Sequence, residues 1–254
     1  MKHKPFILWI TSLFLTFIVL YYSNLNSDYY PVTSTINIDG KKVTYRFEKV
    51  HYGNDDVKII IRTDLEELSG KLFWKNDQDK NWSYAAMKKS GLFLAAEIPA
   101  LKPLKSSLYF VKLNYKDFSY NIPDNQNVKL DFYGKIPIAL NILEMVLLYT
   151  GLFLSIRAGL EYFNNNTKTK KLAVMIVIIF ITLTLLINPL YQTYKLGFMN
   201  TTVPALNEIF PVFYWFITLM WIVTSISIFR FPKIKLIAAA SSIITALYYM
   251  VERV

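Results

Sequence analysis

IPIALNILEMVLLYTGLFLSI, residues 136–156, carries one carboxylate, Glu144, and one amide, Asn141, in an otherwise apolar or hydroxylated run. At 1.5 Å per residue such a run covers about 30 Å, the thickness of a hydrocarbon core, so it reads as a membrane span. Comparable runs follow at Leu172 to Tyr191, Ile209 to Phe229 and, shorter, Leu236 to Met250; another opens the chain at Pro5 to Tyr22. Between the first and second runs lies a polar block with the period of strands. The expected architecture is a membrane bundle of five transmembrane helices plus an all-β sandwich of the immunoglobulin or fibronectin kind outside the membrane. Its divisions are an N-terminal anchor at 1–22, an extracytoplasmic β domain at 23–135 and a four-helix membrane domain at 136–254. The first run exceeds the usual apolar core of a signal peptide, and Tyr21-Tyr22-Ser23-Asn24 offers no small-x-small cleavage site, so it reads as an anchor.

Composition agrees. A chain that is 54% hydrophobic and 16% aromatic is too apolar to be wholly soluble, while 18% charged residues leave room for a solvated domain. The net charge of +10 comes from basic residues that are dispersed or flank the apolar runs. Topology accounts for them, and nucleic-acid binding is not expected. With no cysteine, the β domain is held by its own packed core, and thiol redox chemistry, thiolate metal sites and covalent haem attachment are excluded.

Orientation follows from the basic residues. Lys2 and Lys4 precede the first span; Arg157, Lys168, Lys170 and Lys171 follow the second; Arg230, Lys233 and Lys235 follow the fourth. The opposite side has only Lys195 and Arg253 near its membrane ends. The positive-inside rule then sets the N-terminus inside, the C-terminus outside and the β block outward, in what reads as a bacterial cytoplasmic membrane. Tyr21-Tyr22, Tyr191, Tyr194, Tyr214-Trp215 and Tyr248-Tyr249 fall near the outer interface, as amphipathic anchoring rings do.

In the β block, Val43 to Phe47 and Val57 to Arg62 alternate, and Leu72 to Trp74, Leu92 to Ile98, Leu108 to Leu113 and Val128 to Phe132 follow. Turn signals such as Asp39-Gly40, Gly53-Asn54-Asp55 and Ser90-Gly91 separate them, giving seven or so short strands. Trp74 and Trp82 read as core or cross-sheet residues, an exposed Trp that stacks on a sugar ring being the other reading.

Intramembrane ionisable groups carry the functional expectation, since each costs at least about 2.5 kcal/mol at mid-bilayer unless paired or hydrated. Glu144 is the candidate: a proton or cation site, or an interhelical hydrogen bond or salt bridge. Asn188-Pro189 at the end of the third span, with Gln192 and Lys195, forms a polar outer mouth. Proline frees a carbonyl one turn back, so the chain is expected to leave helix there. Glu208 is expected at the same outer mouth, opening the fourth span, where an acid suits a helix N-terminus.

Gly134-Lys135-Ile136-Pro137, then Leu140 to Met145, then Ser155-Ile156-Arg157-Ala158-Gly159-Leu160-Glu161 resemble a family of uncharacterised bacterial polytopic membrane proteins. Its members have an N-terminal anchor, an outward β-sandwich, a G-x-V-P opening to the second span and an S-x-R-x-G-L-E exit from it. Asn188-Pro189-Leu190-Tyr191-Gln192 is similar to that family's segment after the third span. The resemblance marks Arg157 and Glu161 as motif residues on the cytoplasmic side. The family has His where Glu144 stands, and a longer acidic, Asn-containing loop where Pro204 to Glu208 stand, so a metal or haem site built on that His is not carried over. No activity comes with the resemblance.

No catalytic residue set, metal site or cofactor is expected. His3 and His51 are the only histidines, and no phosphate loop or dinucleotide fingerprint is present. Asp55-Asp56 and Glu66-Glu67 read as solvated surface. Asn81-Trp82-Ser83 and Asn200-Thr201-Thr202 match a glycosylation sequon that has meaning only in a eukaryotic secretory pathway. The expected partners are the bilayer and other proteins. Two functions fit: a non-catalytic accessory or scaffold subunit that presents the sandwich to an extracytoplasmic partner, or a small-solute or ion transporter that uses Glu144.

Overall fold

A computed structural model describes residues 4–25, 27, 29–77, 79–124, 126–164, 168–198, 205–231 and 235–252. Lys2, His3, Lys233, Arg253, Pro204 and the Asn200-Thr201-Thr202 sequon lie outside the described residues. The chain divides into two units. The helical unit takes Met1–Ser27, Ile136–Tyr194 and Phe198–Val254; the β unit takes Asp28–Lys135 and Lys195–Gly197.

In the helical unit, α1 is Lys4–Leu25, α2 Ile138–Leu160, α3 Thr169–Thr182, α4 Asn188–Lys195, α5 Leu206–Ile209, α6 Val212–Arg230 and α7 Leu236–Glu252. Four helical stretches among the described residues are long and apolar enough to cross a membrane: Pro5–Leu25, Ile138–Phe163, Thr169–Lys195 and Val212–Arg230. The stretch Leu236–Val251 is apolar but shorter. Proline stands just before α2 (Pro137) and before α6 (Pro211), where a missing N–H is of no consequence because the first helical turn has no partner for it.

The expectation that helix stops at Asn188-Pro189 is corrected. Helix continues to Lys195, and the preceding turn Leu183–Ile187 is π-helical. Widening the ladder by one residue accommodates a proline that has no N–H to give. The small residue Gly151 lets α3 approach α2: a Cβ there would lie 2.8 Å from the Phe180 ring. At Gly159 a Cβ would lie 2.5 Å from Ser242 on α7. Close backbone approach through small residues is the usual means of packing helices in lipid, where the bilayer is as apolar as the side chains.

The β unit contains eleven strands among its described residues: β1 Val32–Ile38, β2 Lys41–Phe47, β3 Val50–Tyr52, β4 Val57–Thr63, β5 Ser69–Asn76, β6 Ser83–Ala86, β7 Lys88–Ser90, β8 Phe93–Ile98, β9 Ser106–Tyr115, β10 Phe118–Ile122 and β11 Val128–Tyr133. One sheet has the order β1-β2-β4-β8-β7, the other β3-β11-β9-β5-β6 with β10 also on β9. Pairing is antiparallel except for β3 with β11. In β4 the alternation is complete: Val57, Ile59, Ile61 and Thr63 are buried while Lys58, Ile60 and Arg62 face out. Asp39-Gly40 closes the β1–β2 hairpin with both residues at positive φ, 51° and 75°, the backbone a two-residue primed turn requires. Ile38, Val43, Phe47, Ile59 and Leu94 from one sheet meet Leu72, Tyr109, Val111, Leu130 and Phe132 from the other in a single buried core.

Candidate functional site

Glu144 sits on α2 with 3% of its surface exposed. The Tyr214 hydroxyl of α6 donates to its Oε1 at 2.6 Å. Tyr214, expected as an interfacial anchor, is thus a partner of the one acid within an apolar run. The Thr184 hydroxyl in the π turn donates to the Tyr214 carbonyl at 3.3 Å and lies 2.7 Å from the Thr218 hydroxyl. Asn188, fully buried, donates from Nδ2 to the Ile209 carbonyl at 3.1 Å and accepts from Gln192 Nε2 at 3.3 Å. The structure therefore brings Asn188 and Gln192 together. Glu208 is exposed, and its carboxylate accepts from the Ala205 N–H at 3.3 Å, capping the one-turn α5 rather than opening α6.

From there hydrogen bonds tie the helices pairwise. Trp221 Nε1 donates to Thr245 at 2.9 Å, Thr224 and Ser241 hydroxyls are 2.6 Å apart, and the Tyr249 hydroxyl donates to the Leu148 carbonyl at 3.0 Å. Each such bond is worth about 0.6–2 kcal/mol in a membrane and fixes the register of one helix on the next.

Arg157 and Glu161 form the second polar centre. They are 2% and 1% exposed, and Arg157 Nη2 lies 2.6 Å from Glu161 Oε1. The i, i+4 spacing on one helix face brings them together where α2 tightens into the 3₁₀ turn Glu161–Phe163. Glu161 Oε2 accepts from Asn164 Nδ2 at 2.9 Å and from the Lys168 N–H at 3.4 Å. Lys235 Nζ donates to the Asn164 carbonyl at 2.6 Å, which ties the start of α7 to the same turn. The guanidinium carbon lies 5.0 Å from the Trp9 ring of α1. Arg157 Nε and Nη1 have no hydrogen-bond partner among the described residues. Four parts of the helical unit meet here; the sequence singled out Arg157 and Glu161 as motif residues and read Lys168 and Lys235 only as topology signals, while Trp9 and Asn164 carry no local signal.

Lys195 belongs to the β unit. Its ammonium lies 4.7 Å from the Tyr133 ring centroid and 5.6 Å from that of Tyr29, and its carbonyl accepts from the Gly134 N–H at 2.7 Å. Tyr29 and Tyr133 are edge to face with hydroxyls 3.3 Å apart, and Tyr52 stacks on Tyr133 at 5.6 Å. Burial and the bond with Tyr29 push the Tyr133 hydroxyl well above the usual phenol range, so it stays protonated. Gly197 has φ +76°, and a Cβ there would lie 2.6 Å from Pro103, so glycine is required on both counts. This clasp holds Lys195–Gly197 on the β unit.

Trp74 packs against the core as expected. Trp82 lies outside the core and takes the cross-sheet alternative, half-buried and perpendicular to Phe110 on the outer face of the second sheet. His51 packs edge-on against Phe132. No group of three or more His, Cys, Asp or Glu able to hold a metal occurs among the described residues. No protein-family model, curated protein or solved structure matches the chain, so its own geometry carries the functional reading.

Proposed function

We propose that this chain is a non-catalytic accessory or scaffold subunit of a larger assembly in a bacterial cytoplasmic membrane, with an immunoglobulin- or fibronectin-like sandwich facing outward. In this reading the shorter apolar helix Leu236–Val251 serves as the fifth crossing, which takes the C-terminus outside. The observation that carries the reading is the engagement of the buried ionisable groups of the helical unit by neighbouring protein groups. Glu144 accepts from Tyr214, and Arg157 pairs with Glu161. Groups held this way fix helices against one another, and a rigid base suits a protein whose work is to position a domain. The chain also passes between the two units at four places, near Ser27, Lys135, Tyr194 and Gly197.

A second reading, transport of a small solute or ion through the bundle, is favoured by a buried carboxylate, Glu144, on an otherwise apolar stretch of helix, and by the π turn Leu183–Ile187. Such turns recur where helices serve function. One isolation in mild detergent separates the two. The scaffold reading expects a stoichiometric partner to accompany the full-length chain, and expects it still to do so with Glu144→Gln. A chain that runs alone as a monomer, or a Glu144→Gln variant that assembles normally but loses flux in vesicles, contradicts it.

A further inference from the structure

The outer face of the second sheet carries an aromatic row bordered by lysines that no core residue and no carboxylate on the same strands engages. The register makes the row explicit. Tyr84 on β6 faces Phe73 on β5, which faces Phe110 on β9. One step along the strands on one side, Ala86, Lys71 and Lys112 align; on the other, Lys75 aligns with Leu108, and Trp82 precedes β6. With neighbouring strands about 4.8 Å apart and same-face residues about 6.8 Å apart, the rings span roughly 10 Å with ammonium groups on both flanks.

The rings are fixed by one another. Phe73 and Phe110 are parallel at 5.0 Å, so they cover each other's faces and present edges, which carry partial positive charge. Trp82 stands at 79° to Phe110, and Tyr84 is 64% exposed. Lys75 lies 5.2 Å from the Trp82 ring and Lys71 5.5 Å from that of Tyr84, contacts that leave ammonium N–H groups for another acceptor. Among the described residues, the outward positions 71, 73 and 75 of β5, 84 and 86 of β6, and 108, 110, 112 and 114 of β9 include no acid.

We infer that this face is a binding site for an acidic glycan. A sugar chain bearing carboxylate or phosphate groups offers the two features the face lacks: flat C–H surfaces for the rings of Trp82 and Tyr84, and anions for Lys71, Lys75 and Lys112. The row is too narrow for a bilayer surface, with cations on both sides within one strand step and only Leu108 and Ala86 as aliphatic neighbours. The site stands whether or not the helical unit docks in an assembly.

The test uses the full-length chain in detergent, immobilised, with polygalacturonate as probe and dextran as the neutral control. Polygalacturonate binds, dextran does not, and binding weakens as salt rises. The exposed double substitution Lys71→Glu/Lys112→Glu weakens binding by about tenfold or more, as loss of paired charges at an interface does. Trp82→Ala/Tyr84→Ala also weakens it, while Lys71→Arg/Lys112→Arg retains it. Equal binding of dextran, unchanged binding by the glutamate and alanine variants, or loss in the arginine variant overturns the proposal. So does equally tight capture of single-stranded DNA or of anionic phospholipid vesicles, which would make the face a general polyanion surface.

Discussion

Replacing Glu161 by alanine is expected to destabilise the helical unit by about 3–5 kcal/mol, the usual result of leaving one member of a buried ion pair uncompensated. Arg157, 2% exposed, would keep its charge with Trp9 beside it and no carboxylate, and Asn164 Nδ2 and the Lys168 N–H would lose their acceptor. Thermal unfolding of the full-length chain in detergent, followed by far-ultraviolet circular dichroism, measures the loss. The double variant Arg157→Met/Glu161→Leu separates pairing from mere presence. Two apolar side chains of similar bulk remove both charges together, and most of the loss should be recovered. A single Glu161→Ala variant as stable as the parent would mean that the pair is not buried as described.

Phe132→Ala should cost the β unit about 3–5 kcal/mol, because a fully buried ring leaves a cavity its neighbours fill only in part. Phe132 sits at the centre of the account of this unit. It is packed by His51, its N–H donates to the Lys105 carbonyl at 2.9 Å, and its own carbonyl accepts from the Leu104 N–H at 2.8 Å. For a domain of this size each kcal/mol is worth roughly 4–8 °C in Tm, and total stability is about 5–15 kcal/mol, so a large part of the margin disappears. Phe93→Ala, at a ring 48% exposed, serves as the control and should change little. Equal sensitivity at the two positions would contradict the assignment of core and surface.

What the sequence reveals follows from how local each cause is. The spans at Pro5, Ile138, Thr169 and Val212 are visible because a bilayer demands a continuous apolar run, and β4 is visible because a half-buried strand demands alternation. The Asp39-Gly40 turn is equally local, since two residues at positive φ leave little choice of side chain. Strands β1, β3, β6, β7 and β10 are less legible. The outward positions of β1 are Thr and Asn, while β3 and β7 have three residues each and are defined by the neighbour that pairs with them. At Asn188-Pro189 a local rule pointed the wrong way. The π turn upstream absorbs the proline, and Asn188 finds its partner in the Ile209 carbonyl, 21 positions away.

The candidate site shows the same division. Arg157 and Glu161 stand four apart, so their pairing follows from helix geometry alone. Trp9, Lys235 and Tyr214 join the polar centres from other helices, 148, 74 and 70 positions from Arg157, Glu161 and Glu144 respectively, separations at which nothing but the folded packing specifies contact. Trp82 reads as core or cross-sheet because it is large and apolar, yet a sheet has two faces. Only the pairing of β5 with β6 shows that it stands beside Phe110 on the outer one.

Because the chain contains no cysteine, single cysteines can report the sidedness on which the whole account depends. Ser119→Cys lies at an exposed position on β10, and Lys170→Cys at an exposed position in the first turn of α3. With a membrane-impermeant maleimide applied to intact spheroplasts, the account predicts rapid labelling at position 119 and none at position 170 until the membrane is permeabilised. Labelling at 170 with protection at 119 would invert the orientation and contradict an outward-facing β unit.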